Sequence, residues 1–163
     1  VTENLCGGVY QLSVDGSYTT TTMSPLTLGA YKTYSNGQQC DLDKIAMPDN
    51  VAMGPTRDIL LIGEDSDWDS SNKSHQNDVL WAYSLTDGVL TRVLSSPVGA
   101  EVTSPWYYHN INGWDYLAVV VQHPYGEGLD TTQLLGFTTD VEKNSAMRAS
   151  FGYIGPIRTF NEK

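Results

Sequence analysis

Short stretches of alternating apolar and polar residues, separated by turn residues, constrain the fold of this 163-residue chain more than any other feature. Gly8–Val14 alternates in this way and ends at Asp15-Gly16, a pair that is typical of tight hairpin turns. Asp87-Gly88 and Asn112-Gly113 mark two further hairpins. The pattern therefore predicts many short antiparallel strands with local connections, as in a sandwich, barrel or propeller.

Most of the periodic segments are predicted to be strands. They are Gly8–Val14, Tyr18–Met23, Asp58–Gly63, Asp78–Leu85, Val89–Leu94, Trp106–His109, Trp114–Val121, Leu134–Thr138 and Gly152–Ile154. Only Ile45–Val51 and Asp140–Ala149 are predicted to form a helical turn or two. We therefore expect residues 1–163 to form a single all-β region. Propeller blades take about 40–50 residues each, so the chain would supply three or four blades of a partial β-propeller.

The charge of the chain argues against a nucleic-acid partner. Phosphate binding needs clustered Lys and Arg, and this chain has only nine of them and a formal net charge of −10. An acid excess is typical of secreted proteins and of proteins that bind hard cations. No apolar run approaches the roughly 18 residues that cross a bilayer, so no membrane span is expected.

Cys6 and Cys40 are the only cysteines, too few for a structural zinc site with four Cys or His ligands. They form either two buried free thiols or a disulfide, and cysteine usage favours the disulfide. A disulfide closing this loop would stabilise the fold by roughly 3–4 kcal/mol. It would also place the protein outside the cytosol, in an extracellular or periplasmic compartment. The N-glycosylation sequon at Asn72 agrees with export.

The polar loop after residue 63 contains acidic residues at the spacing of an EF-hand. Asp65, Asp67 and Asp69 alternate, but the sixth loop position is Ser70 instead of Gly and the twelfth is Gln76 instead of Glu. These departures exclude an EF-hand. Asp67 and Asp69 are expected to be solvated, and a calcium loop of another kind is the alternative.

Four carboxylates and a histidine stand at predicted strand ends or turns. Glu64 and Asp65 directly follow an apolar strand, Asp49 lies in a turn, and Glu101 begins a strand. Taken singly, each is more typical of a turn or cap. Together they are hard oxygen donors suited to calcium, magnesium or oxidised iron. His123 could join them as a ligand or as a donor to an anion, with a structural role as the alternative.

Other catalytic motifs are absent from the sequence. It contains no phosphate-binding P-loop, no dinucleotide-binding glycine motif and no nucleophile elbow. The aromatic residues are expected to fill the core and cross-strand pairs, with a carbohydrate-stacking surface as the alternative. These residues are Trp106, Tyr107, Tyr108, Trp114 and Tyr116.

Several short motifs follow one another along most of the chain. They are Cys6-Gly7-Gly8-Val9-Tyr10, Cys40, Pro48-Asp49-Asn50, Ile62-Gly63-Glu64-Asp65, His75-Gln76-Asn77-Asp78 with Trp81, the segment from Gly99 to Pro105, Gln122-His123-Pro124 with Gly126-Glu127, and Gly152-Tyr153-Ile154-Gly155-Pro156. In this order and spacing they resemble the C-terminal portion of the PhoX-type alkaline phosphatases.

The resemblance implies a β-propeller, export from the cytosol, a calcium and ferric-iron cofactor, and hydrolysis of phosphate monoesters. The implied metal ligands are Glu64 and Glu101, followed by Asp49 and Asp65. The implied catalytic residues, which would hold the phosphate or orient the ligands, are Asn50 and His123.

Enzymes of that family are several times longer than this chain, and their upstream blades supply further ligands, including a thiolate. Cys6 and Cys40 look like a disulfide pair and are not assigned to iron, so the chain alone would hold a partial site. The first hypothesis is therefore one part of a secreted, PhoX-like phosphomonoesterase. The alternative is a non-catalytic, glycosylated β-module that assembles into a fibre or matrix through exposed strand edges.

Overall fold

The computed structural model describes residues 3–56, 58–66, 74–126, 136 and 138–159. These residues form strands and one short helix, which confirms the all-β prediction. The elements are β1 (Gly8–Val14), β2 (Thr20–Leu28), β3 (Pro48–Met53), β4 (Ile59–Glu64), β5 (Val79–Ser84), β6 (Leu90–Ser95), β7 (Glu101–Ile111), β8 (Trp114–Gln122), α1 (Asp140–Ala146) and β9 (Ser150–Arg158). Asn72, Asp67, Asp69 and most of the predicted strand Leu134–Thr138 lie outside the described residues.

The strands form three antiparallel sheets in which each strand pairs with its neighbour in sequence. The first sheet is the hairpin β1-β2, the second is the meander β3-β4-β5-β6, and the third is β7-β8-β9. Tight turns join β1 to β2, β5 to β6 and β7 to β8, as the Asp-Gly and Asn-Gly pairs predicted, whereas longer connections join β4 to β5 and β8 to β9. No helix in the described ranges is long and apolar enough to cross a membrane.

The second sheet lies between the other two, because successive residues of β4 and β5 are apolar and point to opposite faces, which gives the sheet two apolar faces. One face packs on the hairpin sheet, and this core contains Ile62, Val79, Trp81 and Tyr83 with Val9 and Leu26. The other face packs on the third sheet, and this core contains Leu61 and Leu80 with Val102, Leu117 and Val119. The result is a stack of three layers along the chain.

The second and third sheets touch at Gly63. A Cβ atom at this position would overlap the backbone oxygen of Val102 on β7. Only glycine lets the end of β4 lie directly against β7. This contact brings the last residues of β4 and the first residues of β3 next to the beginning of β7.

One of the two helical predictions was wrong. Ile45–Val51 was expected to form a helical turn, but Pro48–Met53 is strand β3, paired with β4. Burial alternates along β3, and the pairing of Asn50 to Met53 with the edge of β4 outweighs local preference. The other prediction was confirmed in a shorter form, as α1.

Helix α1 begins with a reciprocal cap that fixes its first residue. The N–H of Glu142 donates to Thr139 Oγ1 (3.3 Å), and the N–H of Thr139 donates to Glu142 Oε2 (3.1 Å). This is the capping-box arrangement that a Thr-x-x-Glu sequence favours. Further donation from the backbone N–H of Thr138 lowers the pKa of the Glu142 carboxyl.

Strand β7 is much longer than the predicted Trp106–His109. The added length includes Pro105, and proline cannot donate to a β-ladder. The structure accommodates the proline at a register shift between Thr103 and Trp106, with Ser104 in the left-handed region (φ 52°). The bulge keeps both halves of β7 paired with β8.

The predicted disulfide between Cys6 and Cys40 is confirmed, and both residues are buried. It joins the chain just before β1 to the loop that leads into β3. Beside it, the Met47 N–H donates to the Cys6 carbonyl oxygen (2.9 Å). The disulfide therefore anchors the loop from which Asp49 emerges.

Replacing both cysteines, Cys6→Ser with Cys40→Ser, is expected to lower the free energy of unfolding by about 3–4 kcal/mol. The reason is that the disulfide no longer restricts the loop between the two positions in the unfolded chain, which therefore gains conformational entropy. Urea unfolding of the wild type and the double variant measures the difference. A loss below about 1 kcal/mol would contradict an anchoring role.

Gly63→Ala is expected to destabilise the protein by about 2–3 kcal/mol or more, because the methyl group forces β4 away from β7. Gly152→Ala is the matched control, since a Cβ atom there meets no other atom within 4 Å. In a strand that substitution is expected to be neutral or stabilising by about 0.5–1 kcal/mol. Thermal unfolding of both variants tests the prediction, and equal effects would contradict it.

Candidate metal centre

Three of the four predicted metal ligands lie together. Asp49, Asp65 and Glu101 each offer one carboxylate oxygen, and these atoms lie within 4.8 Å of one another. Asp49 is on β3, Asp65 directly follows β4, and Glu101 is the first residue of β7. The fold thus gathers acids from distant parts of the sequence at one edge of two adjoining sheets.

Local backbone features aim these side chains. Pairing of β3 with β4 shifts register between Pro48 and Asn50, so Asp49 is the extra residue of a bulge. Bulges often re-aim a side chain next to a functional site. Asp65 is held because its N–H donates to the Met47 carbonyl oxygen (3.1 Å).

Polar side chains surround Glu101 and fix its carboxylate. Gln122 is its cross-strand partner on β8 and donates through Nε2 to Glu101 Oε2 (2.7 Å). His123 Nε2 lies 3.5 Å from the same oxygen. Sequence reasoning had assigned His123 but not Gln122, and the signal for Gln122 was its place beside His123 at the strand end.

Asn50 also lies in this cluster, where its side-chain amide donates to the Asp49 carboxylate. Both predicted catalytic residues, Asn50 and His123, therefore neighbour the carboxylates. With Gln122 they supply amide and imidazole groups at the rim of the acidic cluster.

Two residues beside the cluster adopt backbone conformations that side chains disfavour. Met47 has φ 43° and His123 has φ 32°, both in the left-handed region. Such residues are costly and persist where the surrounding structure holds them, often at ligand sites. One precedes Asp49 by two residues, and the other contacts Glu101.

The three carboxylates differ in exposure. Asp49 is exposed, Asp65 is half-buried and Glu101 is buried. Asp49 and Asp65 line an open cleft of about 370 Å³ together with residues of the N-terminal segment. The cluster therefore combines a fixed inner carboxylate with two outer ones that solvent reaches.

Glu64, the fourth predicted ligand, does not lie with the other three. It is completely buried, and both of its oxygens accept N–H donors. The donors are Ala46 N (2.7 Å) and Trp81 Nε1 (2.6 Å) at Oε1, and Val79 N (2.9 Å) and His75 Nδ1 (2.9 Å) at Oε2. The structure thus places Glu64 at the centre of a network that joins β4, β5 and the loop before β3.

His75 completes this network. Its Nδ1 faces Glu64 and its Nε2 faces the Asp41 carbonyl oxygen (3.2 Å), so both ring nitrogens meet acceptors. His75 is thus the buried hydrogen-bond partner of Glu64, a role that sequence reasoning missed because the two are eleven residues apart across a polar loop.

Asp41 holds the loop that covers His75. Its carboxylate accepts the Asp43 N–H (3.1 Å) and Lys32 Nζ (3.2 Å), and these contacts lower the pKa of Asp41. Because Cys40 is the preceding residue, the disulfide and the Glu64 network stabilise the same loop.

A second buried carboxylate, Asp115, stabilises the hairpin between β7 and β8. It accepts from the Tyr107 hydroxyl (2.5 Å) and the Asn110 N–H (2.7 Å), and His109 Nδ1 lies 3.2 Å away. Burial and the hydrogen bond to Asp115 raise the pKa of Tyr107. These contacts shape the turn and are separate from the acidic cluster.

Comparison with known proteins identifies no relative: no family model, no curated protein and no solved structure matches the chain.

Glu64→Gln is expected to lower the free energy of unfolding by about 1–3 kcal/mol, because the amide group turns its own N–H donors towards the buried N–H donors that the Glu64 oxygens accept, and leaves some of them unsatisfied. Urea unfolding measures the loss, and Glu3→Gln at an exposed position serves as control within about 0.5 kcal/mol. If Glu64→Gln keeps the stability of the wild type but no longer binds the cation, Glu64 is a metal ligand and the structural role is contradicted.

Proposed function

We propose that this chain is one part of a secreted, metal-dependent phosphomonoesterase of the PhoX-like type, with its sheets arranged as propeller blades. One observation carries the proposal: carboxylates from three separate strand ends, singled out from sequence as hard-cation ligands, converge within 4.8 Å. Like charges at this spacing repel one another, and a bound divalent or trivalent cation offsets the repulsion.

The donor set fits calcium, one of the two cations implied by the resemblance. Calcium takes six to eight oxygen ligands from carboxylates, carbonyls and water, often in irregular geometry. Asp49, Asp65 and Glu101 are such donors, and the outer two leave room for water or substrate oxygens. Iron held here would be oxidised and bound through oxygen, because the disulfide uses both cysteines of the chain.

Neighbouring side chains hold the carboxylates of the site in fixed orientations. Glu101 begins a strand and is oriented by Gln122, and Asp49 is oriented by Asn50. Ligands held on strands in this way are ordered before the substrate arrives. His123, one-third exposed beside Glu101, would donate to a phosphate oxygen bound at the carboxylates. When bound, the cation would neutralise phosphoryl charge and activate an oxygen nucleophile.

The sheet arrangement supports the propeller part of the proposal. The second sheet is a four-stranded antiparallel meander, which is the construction of a propeller blade. Its neighbours are a hairpin and a three-stranded meander, and the three sheets pack in chain order. Since propeller rings have about four to eight blades, blades beyond these three, supplied by a longer polypeptide or by a second chain, would complete the ring and the ligand set. The disulfide supports export.

Calcium binding by the full chain is the first test, measured by isothermal titration calorimetry. Asp49→Asn and Glu101→Gln are each expected to weaken binding by at least about tenfold, because each removes an anionic ligand. Asp43→Asn, at an exposed acid with the same charge change, is the control and should bind as the wild type. Equal weakening by all three would indicate general charge attraction and contradict a site.

Hydrolysis of p-nitrophenyl phosphate by the protein isolated from its source, loaded with calcium and iron, tests the reaction itself. The proposal predicts phosphate release that a chelator abolishes and that Asp49→Asn lowers by at least about tenfold. Calcium binding without any hydrolysis under full metal loading would contradict the phosphatase and leave a calcium-binding β-module.

A further inference from the structure

The outer face of the third sheet is an exposed aromatic surface. Trp106 and Tyr108 on β7 alternate with the inward Tyr107, and the ladder places Trp106, Ala118 and Tyr153 in one row across the sheet. The members of this aromatic face are Trp106, Tyr108, Trp114, Phe151 and Tyr153, which are 43–70% exposed. None of these five carries a charge, and Arg158, the exposed ladder partner of Trp114, lies at the edge of the face, so its centre suits an apolar partner.

The first sheet has a second uncovered apolar face at the other end of the stack. Val9 points into the core, so Tyr10, Leu12 and Val14 point outward, and Met23 lies directly opposite Leu12. These four residues form the hairpin face and are 50–65% exposed. A two-stranded sheet is only marginally stable by itself, so this layer would gain from a cover on its outer side.

The aromatic face is at least as large as the largest apolar patch on a typical monomer. A whole aromatic side chain contributes about 150–250 Å², so the aromatic face offers about 400–700 Å². The largest apolar patch on a typical monomer is about 300–600 Å² and is often functional. A stable interface needs about 800 Å² from each partner, which is more than the aromatic face alone provides and within reach of both faces together.

We infer that the two faces pack on each other between two copies of this chain, so that a closed dimer forms. The aromatic face of one copy covers the hairpin face of its partner, and the reverse contact buries the remaining two faces. This continues the relation already present inside the chain, where each sheet packs its apolar face on the next. Three layers in each of two copies make six, within the range of about four to eight layers that close into rings.

The sheet faces alone carry this inference, and it stands independently of the metal site. It also differs from assembly through strand edges, because the contacts are side chains on faces and not backbone groups on edges. A contact between two different surfaces is a head-to-tail contact. Such contacts either close into a ring or continue as an open filament, and a ring of two copies leaves neither face uncovered.

Sedimentation velocity of the full chain over a range of concentrations tests the dimer. The expected species has the mass of two chains. Leu12→Lys on the hairpin face and Phe151→Lys on the aromatic face should each give monomers, because each puts a charge into both interfaces of the closed dimer. Tyr31→Lys, an equally exposed tyrosine outside both faces, is the control and should remain dimeric.

Mixing the two monomeric variants distinguishes the geometry. Phe151→Lys keeps an intact hairpin face and Leu12→Lys an intact aromatic face, so the mixture should form heterodimers through one undamaged interface, at higher concentrations than the wild-type dimer because that one interface is smaller than about 800 Å² on each side. If Phe151→Lys does not fold, judged by circular dichroism, Tyr153→Lys tests the same face. A wild type that stays monomeric at every concentration would overturn the inference. A Leu12→Lys variant that stays dimeric would overturn it too, because the aromatic faces would then pair with each other.

Discussion

The close approach of β4 to β7 at Gly63 is the contact on which the rest of the arrangement depends. With no side chain at this position, the backbone of one sheet meets the Val102 carbonyl of the next. The strand ends on both sides are therefore drawn together, and Asp49, Asp65 and Glu101 meet there. A larger residue would separate the sheets, open the apolar core between them and pull the carboxylates apart at the same time.

The buried carboxylates divide into supports and candidate ligands, and their donors decide which is which. Glu64 is surrounded by N–H groups and by His75, so both of its oxygens already have hydrogen-bond partners inside the fold. Glu101 accepts one amide from Gln122 and stands beside two outer acids. Glu64 lies one residue before Asp65, so the scaffold network and the candidate site share one strand end. The hydrogen bonds that fix Glu64 therefore also fix the backbone that carries Asp65.

Local patterns predicted the strands well, because period-two alternation and Asp-Gly or Asn-Gly turns act over a few residues. They failed where longer-range contacts decide: β3 forms at Pro48–Met53 because β4 pairs with it, and β7 continues through Pro105 by a bulge. The same limit applies to the site. Their positions at strand ends suggested that Asp49, Asp65 and Glu101 are metal ligands, and Glu64 was assigned the same role. A strand-end position does not indicate which N–H donors the folded chain brings to a carboxylate, so the different environment of Glu64 could not be predicted.

A crystal structure of the full chain grown with calcium, analysed for anomalous scattering, tests the central claim most directly. The account predicts a peak between Asp49, Asp65 and Glu101, with carboxylate oxygens at about 2.3–2.6 Å from the ion. It also predicts a Glu64 carboxylate still bound to His75 and Trp81. Calcium peaks elsewhere on the protein with none among these three carboxylates, or a peak on Glu64, would contradict it.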